Sequence, residues 1–177
     1  MSLLAEPEVT APSGPARWRQ DAVVGFFLLT LTVLLGPPAG LLWSALAPHA
    51  HVSIGASGVP IVDDGGTEVF VAADGWFLAV CLVAGLLTGI VGWLAGRRSG
   101  PVTVAALTVG GLLAALVAAK VGMRLGQDQL RTAAQAGTLG RYGANVALQA
   151  KVIILVWPIA GLGAFLALML SRVEEID

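Results

Sequence analysis

The segment Lys151–Arg172 reads KVIILVWPIAGLGAFLALMLSR, in which a lysine and an arginine bracket 20 residues that carry no formal charge. An α-helix rises about 1.5 Å per residue, so roughly 20 residues cover the ~30 Å hydrocarbon core of a bilayer. A helix also satisfies its own backbone hydrogen bonds where no water can reach. Residues 152–171 therefore predict a membrane-spanning helix.

Three further stretches without Asp, Glu, Lys or Arg precede this segment, at residues 22–50, 75–96 and 100–119. Of the 177 residues, 56% are hydrophobic and only 12% are charged, whereas soluble domains carry about 25% charged residues. The sequence predicts an all-α membrane protein, a four-helix transmembrane bundle. Its spans are expected at about 22–47, 75–96, 101–122 and 152–171.

These spans divide the chain into one membrane domain at 21–172, a disordered tail at 1–20, a short tail at 173–177, outer loops at 48–74 and 123–151, and an inner loop at 97–100. Cytoplasmic loops of membrane proteins carry an excess of Lys and Arg. The two sides of the membrane carry five Lys and Arg residues each, but the inner loop is half arginine and the first outer loop has neither Lys nor Arg. We therefore expect both termini in the cytoplasm and the bundle in the plasma membrane.

The outer loops predict structure outside the membrane. Residues 59–61 and 67–71 alternate in polarity around Asp-Asp-Gly-Gly at 63–66, a pattern that favours a short β-hairpin between the first two spans. Asp74 is then expected to cap the N-terminus of the second span. The second outer loop contains a candidate interfacial helix at 127–136. The first loop is acidic and the second basic, so they either dock on each other or are solvated separately.

Glycine spacing is the strongest local pattern within the apolar stretches. Small residues three or four positions apart share one helix face and let a second backbone approach closely. The candidate helix-packing residues are Gly36, Gly40, Gly85, Gly89, Gly92 and Gly96. The pattern leaves three interpretations open: close packing inside the bundle, self-association through the same stripe, and approach of a ligand.

Prolines and two cations are the other candidate site residues. Pro37 and Pro38 in the first span, and Pro158 in the fourth, each remove a backbone donor and predict helix breaks. Broken helices can expose carbonyls that bind ions or substrates, although neighbouring groups often satisfy them. Lys120 and Arg124 lie one turn apart on the third span, where they either snorkel to the headgroups or contact an anionic lipid or solute.

Catalytic chemistry has little support in the sequence. His49 and His51 with the nearby loop carboxylates are the candidates for acid–base or metal chemistry, and no carboxylate lies inside any predicted span. We assign no catalytic residue, no metal and no cofactor. Net charge is −1, and no Lys/Arg-rich face points to nucleic acid. The expected partners are the lipid bilayer and a membrane protein or second copy of the chain.

Four motifs resemble those of a family of small actinobacterial four-span membrane proteins classed only as a domain of unknown function. The motifs are Gly36-Pro-Pro-Ala-Gly-Leu-Leu-Trp43, Ala72-Ala-Asp-Gly-Trp-Phe77, Gly110-Gly-Leu-Leu-Ala-Ala-Leu-Val-Ala118 and Val156-Trp-Pro158. The similarity covers about residues 20–170. It implies four spans and a plasma-membrane location, and it brings no activity, ligand or catalytic residue.

Three function classes follow from these features. The leading hypothesis is a non-enzymatic envelope assembly or interaction protein, because helix-packing glycines are abundant and the two outer loops differ in charge. The alternative is a small-solute or ion transporter that uses the helix breaks at Pro37/Pro38 and Pro158. A second alternative is a membrane enzyme acting on lipid, which would depend on His49, His51 and the loop carboxylates.

Overall fold

The structure, a computed structural model, describes residues 15–54, 60–62, 67–135, 140–145 and 148–174. The helices are α1 Pro15–Leu34, α2 Gly36–Leu46, α3 Thr67–Gly96, α4 Gly100–Gln135 and α5 Val156–Glu174, with a 3-10 helix at Lys151–Leu155 before α5. Three short strands lie outside the helical part: β1 His49–Ile54, β2 Pro60–Val62 and β3 Gly140–Asn145.

Four helical segments are long and apolar enough to cross a bilayer: Trp18–Leu46, Glu68–Gly96, Gly100–Leu125 and Lys151–Arg172. This is the architecture of a multi-pass membrane protein, and the spanning part is all-helical. The first span is α1 followed directly by α2. The fourth is the 3-10 helix followed by α5.

The helix α4 is the centre of the bundle. It packs against α1 and α2 on one side and against α5 on another, while α3 packs chiefly against α5. The helices α2 and α3 make fewer contacts with each other. Their contact includes the aromatic pair Trp43 and Phe77. The bundle is therefore tight around α4 and α5 and more open between α2 and α3.

The core contains few large side chains. Trp43, Phe77, Leu107 and Trp157 are almost completely buried, and much of the remaining core is alanine, as at Ala114, Ala115 and Ala118 on α4. Large apolar side chains on the outer faces stay exposed, for example Phe26 at 73%, Leu94 at 63% and Leu170 at 66%. In water such a continuous apolar surface would drive association, whereas in a bilayer it meets lipid.

The β-hairpin predicted between the first two spans, with strands at 59–61 and 67–71, does not form with those residues. Thr67, Val69 and Val71 were expected in its second strand, but they form the first turns of α3. This segment is helical and not extended because Val69 and Phe70 pack against the same core as Ala73 and Phe77. Ala73 and Phe77 lie three to eight residues further along the chain, the spacing at which residues share one face of a helix. The expected turn at 63–66 lies outside the described residues.

The described strands form a different arrangement. The three-stranded sheet has the order β2-β1-β3, with both pairs antiparallel. His49 of β1 is opposite Asn145 of β3, and Val52 is opposite Val62 of β2. Because β1 follows the first span and β3 precedes the fourth, this pairing brings the two connecting loops together through their backbones.

The helices α1 and α4 also extend beyond the bounds predicted for them. The tail expected to be disordered to residue 20 is helical from Pro15, and α4 continues without interruption to Gln135. The short interfacial helix predicted at 127–136 is therefore the last part of α4 and not a separate element, up to the end of the described range. Residue 136 lies outside that range.

Candidate functional site

The glycine stripe of α3 faces α5. A Cβ on Gly85 would lie 2.8 Å from the Cβ of Ala160, and a Cβ on Gly89 would collide with the carbonyl oxygen of Gly161. From the other side, a Cβ on Gly161 would lie 3.3 Å from the carbonyl oxygen of Gly85. The two backbones meet directly because neither helix has a side chain there.

The other predicted packing glycines also face neighbours within the chain. A Cβ on Gly36 would lie 2.8 Å from the carbonyl oxygen of Ala114, and one on Gly40 would collide with that of Ala118. Further along α3, Gly92 faces Leu107 and Gly96 faces Thr103, both on α4. All six glycines thus make contacts inside the bundle, so these positions are not available to a second copy in this arrangement.

Both predicted helix breaks fall at helix starts. Gly36 opens α2, so Pro37 and Pro38 occupy its first turn, and Pro158 occupies the first turn of α5. A missing N–H costs little there, since first-turn donors have no helical acceptor. The two breaks contact α4 within one turn of each other, with Gly36 at Ala114 and Pro158 at Gly111.

Asp74 is a buried carboxylate near the N-terminal end of the second span. The sequence predicted it as an N-cap outside the span, but α3 begins seven residues earlier and Asp74 is only 9% exposed. Its Oδ1 accepts a 3.2 Å hydrogen bond from the N–H of Gln149, and Oδ2 accepts one of 2.9 Å from the N–H of Ala150. The candidate span Glu68–Gly96 therefore includes this carboxylate, which the predicted span at 75–96 left out.

An aromatic pair lies beside Asp74. The indole N–H of Trp43 on α2 donates a 2.9 Å hydrogen bond to the carbonyl of Ala73, and its ring meets that of Phe77 edge-on at 4.9 Å between centroids. Gly122 of α4 faces the same indole ring, where a Cβ would collide with it. This cluster joins α2, α3 and α4, while Asp74 adds the start of the fourth span.

A cleft lies between α2 and α3 on the outer surface of the bundle. Its volume is about 360 Å³. Every lining residue is apolar, with Trp76 the only one that carries a polar atom on its side chain. The lining residues are Leu35, Pro38, Ala39, Leu42 and Leu46 from the first span, and Trp76, Ala79, Val80, Val83, Ala84 and Leu87 from α3. We call this the α2–α3 cleft.

Lys120 and Arg124 have exposed side chains on α4 and do not line the α2–α3 cleft. Their predicted contact with an anionic lipid or solute stays a prediction. The side chains of His49 and His51 lie outside the described part of the structure. Within the described residues, no three His, Cys, Asp or Glu side chains come together as a metal site would need.

Two buried groups could take part in chemistry in the core. Cys81 is a fully buried free thiol on α3. The indole N–H of Trp157 is buried and has no hydrogen-bond partner among the described residues. Neither group lines the α2–α3 cleft, so the cleft itself offers shape and apolar surface for binding but no acid, base or nucleophile from the residues around it.

Comparison of the chain with protein-family models, with curated proteins and with solved structures returns no match. The resemblance to small actinobacterial membrane proteins thus stays a prediction.

Proposed function

We propose that this multi-pass membrane protein is a non-enzymatic interaction protein that binds the acyl chain of a membrane lipid in the α2–α3 cleft. We place it in the plasma membrane with both termini in the cytoplasm. The observation that carries the proposal is the cleft itself, which is apolar throughout and opens toward the lipid-facing surface.

The dimensions of the cleft favour an acyl chain over a helix. Its α2 side extends from Leu35 to Leu46 and its α3 side from Trp76 to Leu87, each 11 residue steps, or about 16 Å. Half of the ~30 Å hydrocarbon core is about 15 Å. The cleft thus has the depth of one leaflet, whereas a partner helix about 10 Å wide would need a groove through both leaflets.

The polarity of the ends also fits a lipid chain. Because α2 and α3 run in opposite directions, Leu46 and Trp76 lie at the outer end of the cleft, and Leu35 and Leu87 lie at the deep end. Trp76 is 44% exposed, and tryptophan is enriched at the depth of the headgroups. An acyl chain can therefore enter beside Trp76 with its headgroup still in the interface.

The glycine surfaces that the sequence offered for binding are occupied by contacts within the chain, and the α2–α3 cleft is not. The glycines that could have bound a second copy face α4 and α5 of the same chain. Lipid against a smooth helix exchanges freely, while a chain held between two helices gains packing contacts on both sides. Retention of lipid is thus the property to measure.

The test is native mass spectrometry of the protein released from nanodiscs of a single phospholipid. Ala79 lines the cleft, so Ala79→Trp fills it, and we expect the protein to retain fewer lipids than the wild type. Ala167 is exposed on α5 outside the cleft, and Ala167→Trp is the matched control. Equal retention by the two variants would overturn the proposal. Crosslinking of cleft residues to a second copy or to another protein, lost in Ala79→Trp, would show that the cleft binds a protein and not a lipid.

One observation favours the transporter as a second candidate. The proline breaks of the first and fourth spans meet α4 at Ala114 and Gly111, close to the middle of its span Gly100–Leu125. Helices broken near the bilayer midplane are a feature of solute sites in transporters. Flux of a solute into proteoliposomes, lost on substitution of Gly111 by valine, would support this function. Absence of flux across a broad solute panel would count against it.

A further inference from the structure

One end of the bundle holds an unusual pair of cations. Trp93, near the end of α3, has the guanidinium carbons of Arg97 and Arg172 each 5.5 Å from its ring centroid. Arg97 follows the last residue of α3, and Arg172 lies in the last turn of α5. We call these three residues the arginine clasp. Both arginines are exposed, while the indole is partly buried between the two helices.

An anion would stabilise the two positive charges of the arginine clasp. Two guanidinium groups that share one ring repel each other, and the ring quadrupole offsets only part of that repulsion. Among the described side chains, Asp21 is the carboxylate at this end of the bundle, and it accepts a 2.5 Å hydrogen bond from the hydroxyl of Ser99. Arg19 and Arg98 add exposed positive charge at the same end.

The depth of the arginine clasp in the membrane indicates which kind of anion it would bind. Arg97 and Arg172 follow directly on apolar spans, so they lie at the level of the lipid headgroups. Guanidinium groups bind phosphate oxygens through two parallel hydrogen bonds. We propose that Arg97 and Arg172, both in contact with the ring of Trp93, bind the phosphate of an anionic phospholipid in the leaflet opposite the α2–α3 cleft. This site does not depend on the cleft.

Each residue has a separate role in the proposed site. The two arginines contact the phosphate, and because they belong to α3 and α5, the lipid would join two helices. Trp93 is a positioning residue, since its ring holds both guanidinium groups near one point. Arg19 and Arg98 provide the comparison, because they are exposed at the same end of the bundle and no aromatic contact to either is seen within the described structure.

The test measures binding of phosphatidylglycerol, with phosphatidylcholine as the neutral competitor, to the full chain by native mass spectrometry. We expect Arg97→Gln together with Arg172→Gln to weaken phosphatidylglycerol binding about thirtyfold, or about fivefold for each arginine. The matched control, Arg19→Gln together with Arg98→Gln, removes the same charge from exposed positions at the same end of the bundle and is expected to weaken binding much less. Equal loss in both double variants would overturn the site.

Two further measurements distinguish a lipid site from a site for a soluble phosphate compound and test the role of Trp93. Millimolar inorganic phosphate is expected not to displace phosphatidylglycerol, and complete displacement would assign the clasp to a soluble phosphate compound instead. Trp93→Leu is expected to weaken phosphatidylglycerol binding about two- to fivefold, with recovery in Trp93→Phe. If binding is the same in Trp93→Leu and in the wild type, the ring does not position the arginines.

Discussion

The carboxylate of Asp74 on α3 accepts a 2.9 Å hydrogen bond from the backbone N–H of Ala150, the residue just before the 3-10 helix Lys151–Leu155. A second N–H, from Gln149, reaches its other oxygen. Donors at a helix start have no helical acceptor, so the carboxylate satisfies groups that would otherwise be unpaired. Asp74 thereby fixes where the fourth span begins relative to the second.

Replacing Asp74 should therefore destabilise the bundle. We expect Asp74→Ala to lower the free energy of unfolding by about 1–3 kcal/mol, because two partly buried hydrogen bonds from backbone N–H groups lose their acceptor. Asp74→Asn keeps one acceptor oxygen and should cost less. Thermal unfolding in detergent measures both variants, with the exposed Glu68→Ala of the same helix as the control. If Asp74→Ala unfolds at the same temperature as Glu68→Ala, the carboxylate does not stabilise the fold.

Adding one methyl group to the α3–α5 contact should also be costly. The Cβ of Gly89→Ala would meet the carbonyl oxygen of Gly161, and we expect a loss of about 1–3 kcal/mol from overpacking. Gly163→Ala on α5 meets nothing within 4 Å and should instead gain about 0.5–1 kcal/mol from better helix propensity. Opposite shifts in unfolding temperature are the expected result, and equal shifts would mean that the two helices are further apart than described.

The indole of Trp43 offers a third test. Trp43→Phe removes the donor to the carbonyl of Ala73, and we expect a loss of about 0.5–1.5 kcal/mol for the hydrogen bond, with a further cost for the cavity left by the smaller ring. The control is Trp76→Phe, at a tryptophan that is 44% exposed. Chemical denaturation in micelles compares the two variants. A larger effect at Trp76 would contradict the contact between α2 and α3.

Orientation in the membrane is a fourth prediction. Four spans place both termini on one side, and the arginines at 97, 98 and 172 lie on that side too. We expect a fluorescent protein fused to the C-terminus to fluoresce in the cytoplasm, and a periplasmic reporter enzyme fused there to be inactive. A reporter inserted in the outer loop 48–74 should show the reverse. Activity of the C-terminal periplasmic reporter would invert the predicted topology.

The four spans were predictable because hydropathy and helix length are local properties. The quoted run at 151–172 needs no knowledge of its neighbours to be identified as a span. The packing role of Gly85 and Gly89 was likewise indicated by spacing alone. Their partner was not, since the choice between Gly161 of the same chain and a second copy depends on how the helices are arranged.

The roles that depend on distant residues could not be predicted. Asp74 precedes a glycine and an apolar run, so its local sequence indicates a cap, while its true partners lie 75 and 76 residues further along the chain. The alternation at 67–71 was misleading for a similar reason. Burial of Ala73 and Phe77 against α2 and α4 favours a helix there, and helical spacing from Phe70 to Phe77 was the signal that could have shown it.

The α2–α3 cleft was not predicted at all, because a cleft is the absence of contact between helices whose sequences are equally apolar. Leu42 and Val83 line it, yet nothing in their neighbourhoods distinguishes them from exposed residues such as Leu113 or Ile159. Helix breaks at Pro37 and Pro38 indicated only that the first span changes direction near this region.

Photochemical labelling with a phospholipid that carries a diazirine in its acyl chain tests the central claim most directly. The wild-type protein is labelled in a bilayer, digested, and mapped by mass spectrometry. Binding in the cleft predicts adducts concentrated on its lining, at Leu42, Ala79 and Val83, and their loss in Ala79→Trp. Adducts spread evenly over Leu113, Ile159 and Leu166, unchanged in that variant, would show that lipid meets only a smooth outer surface.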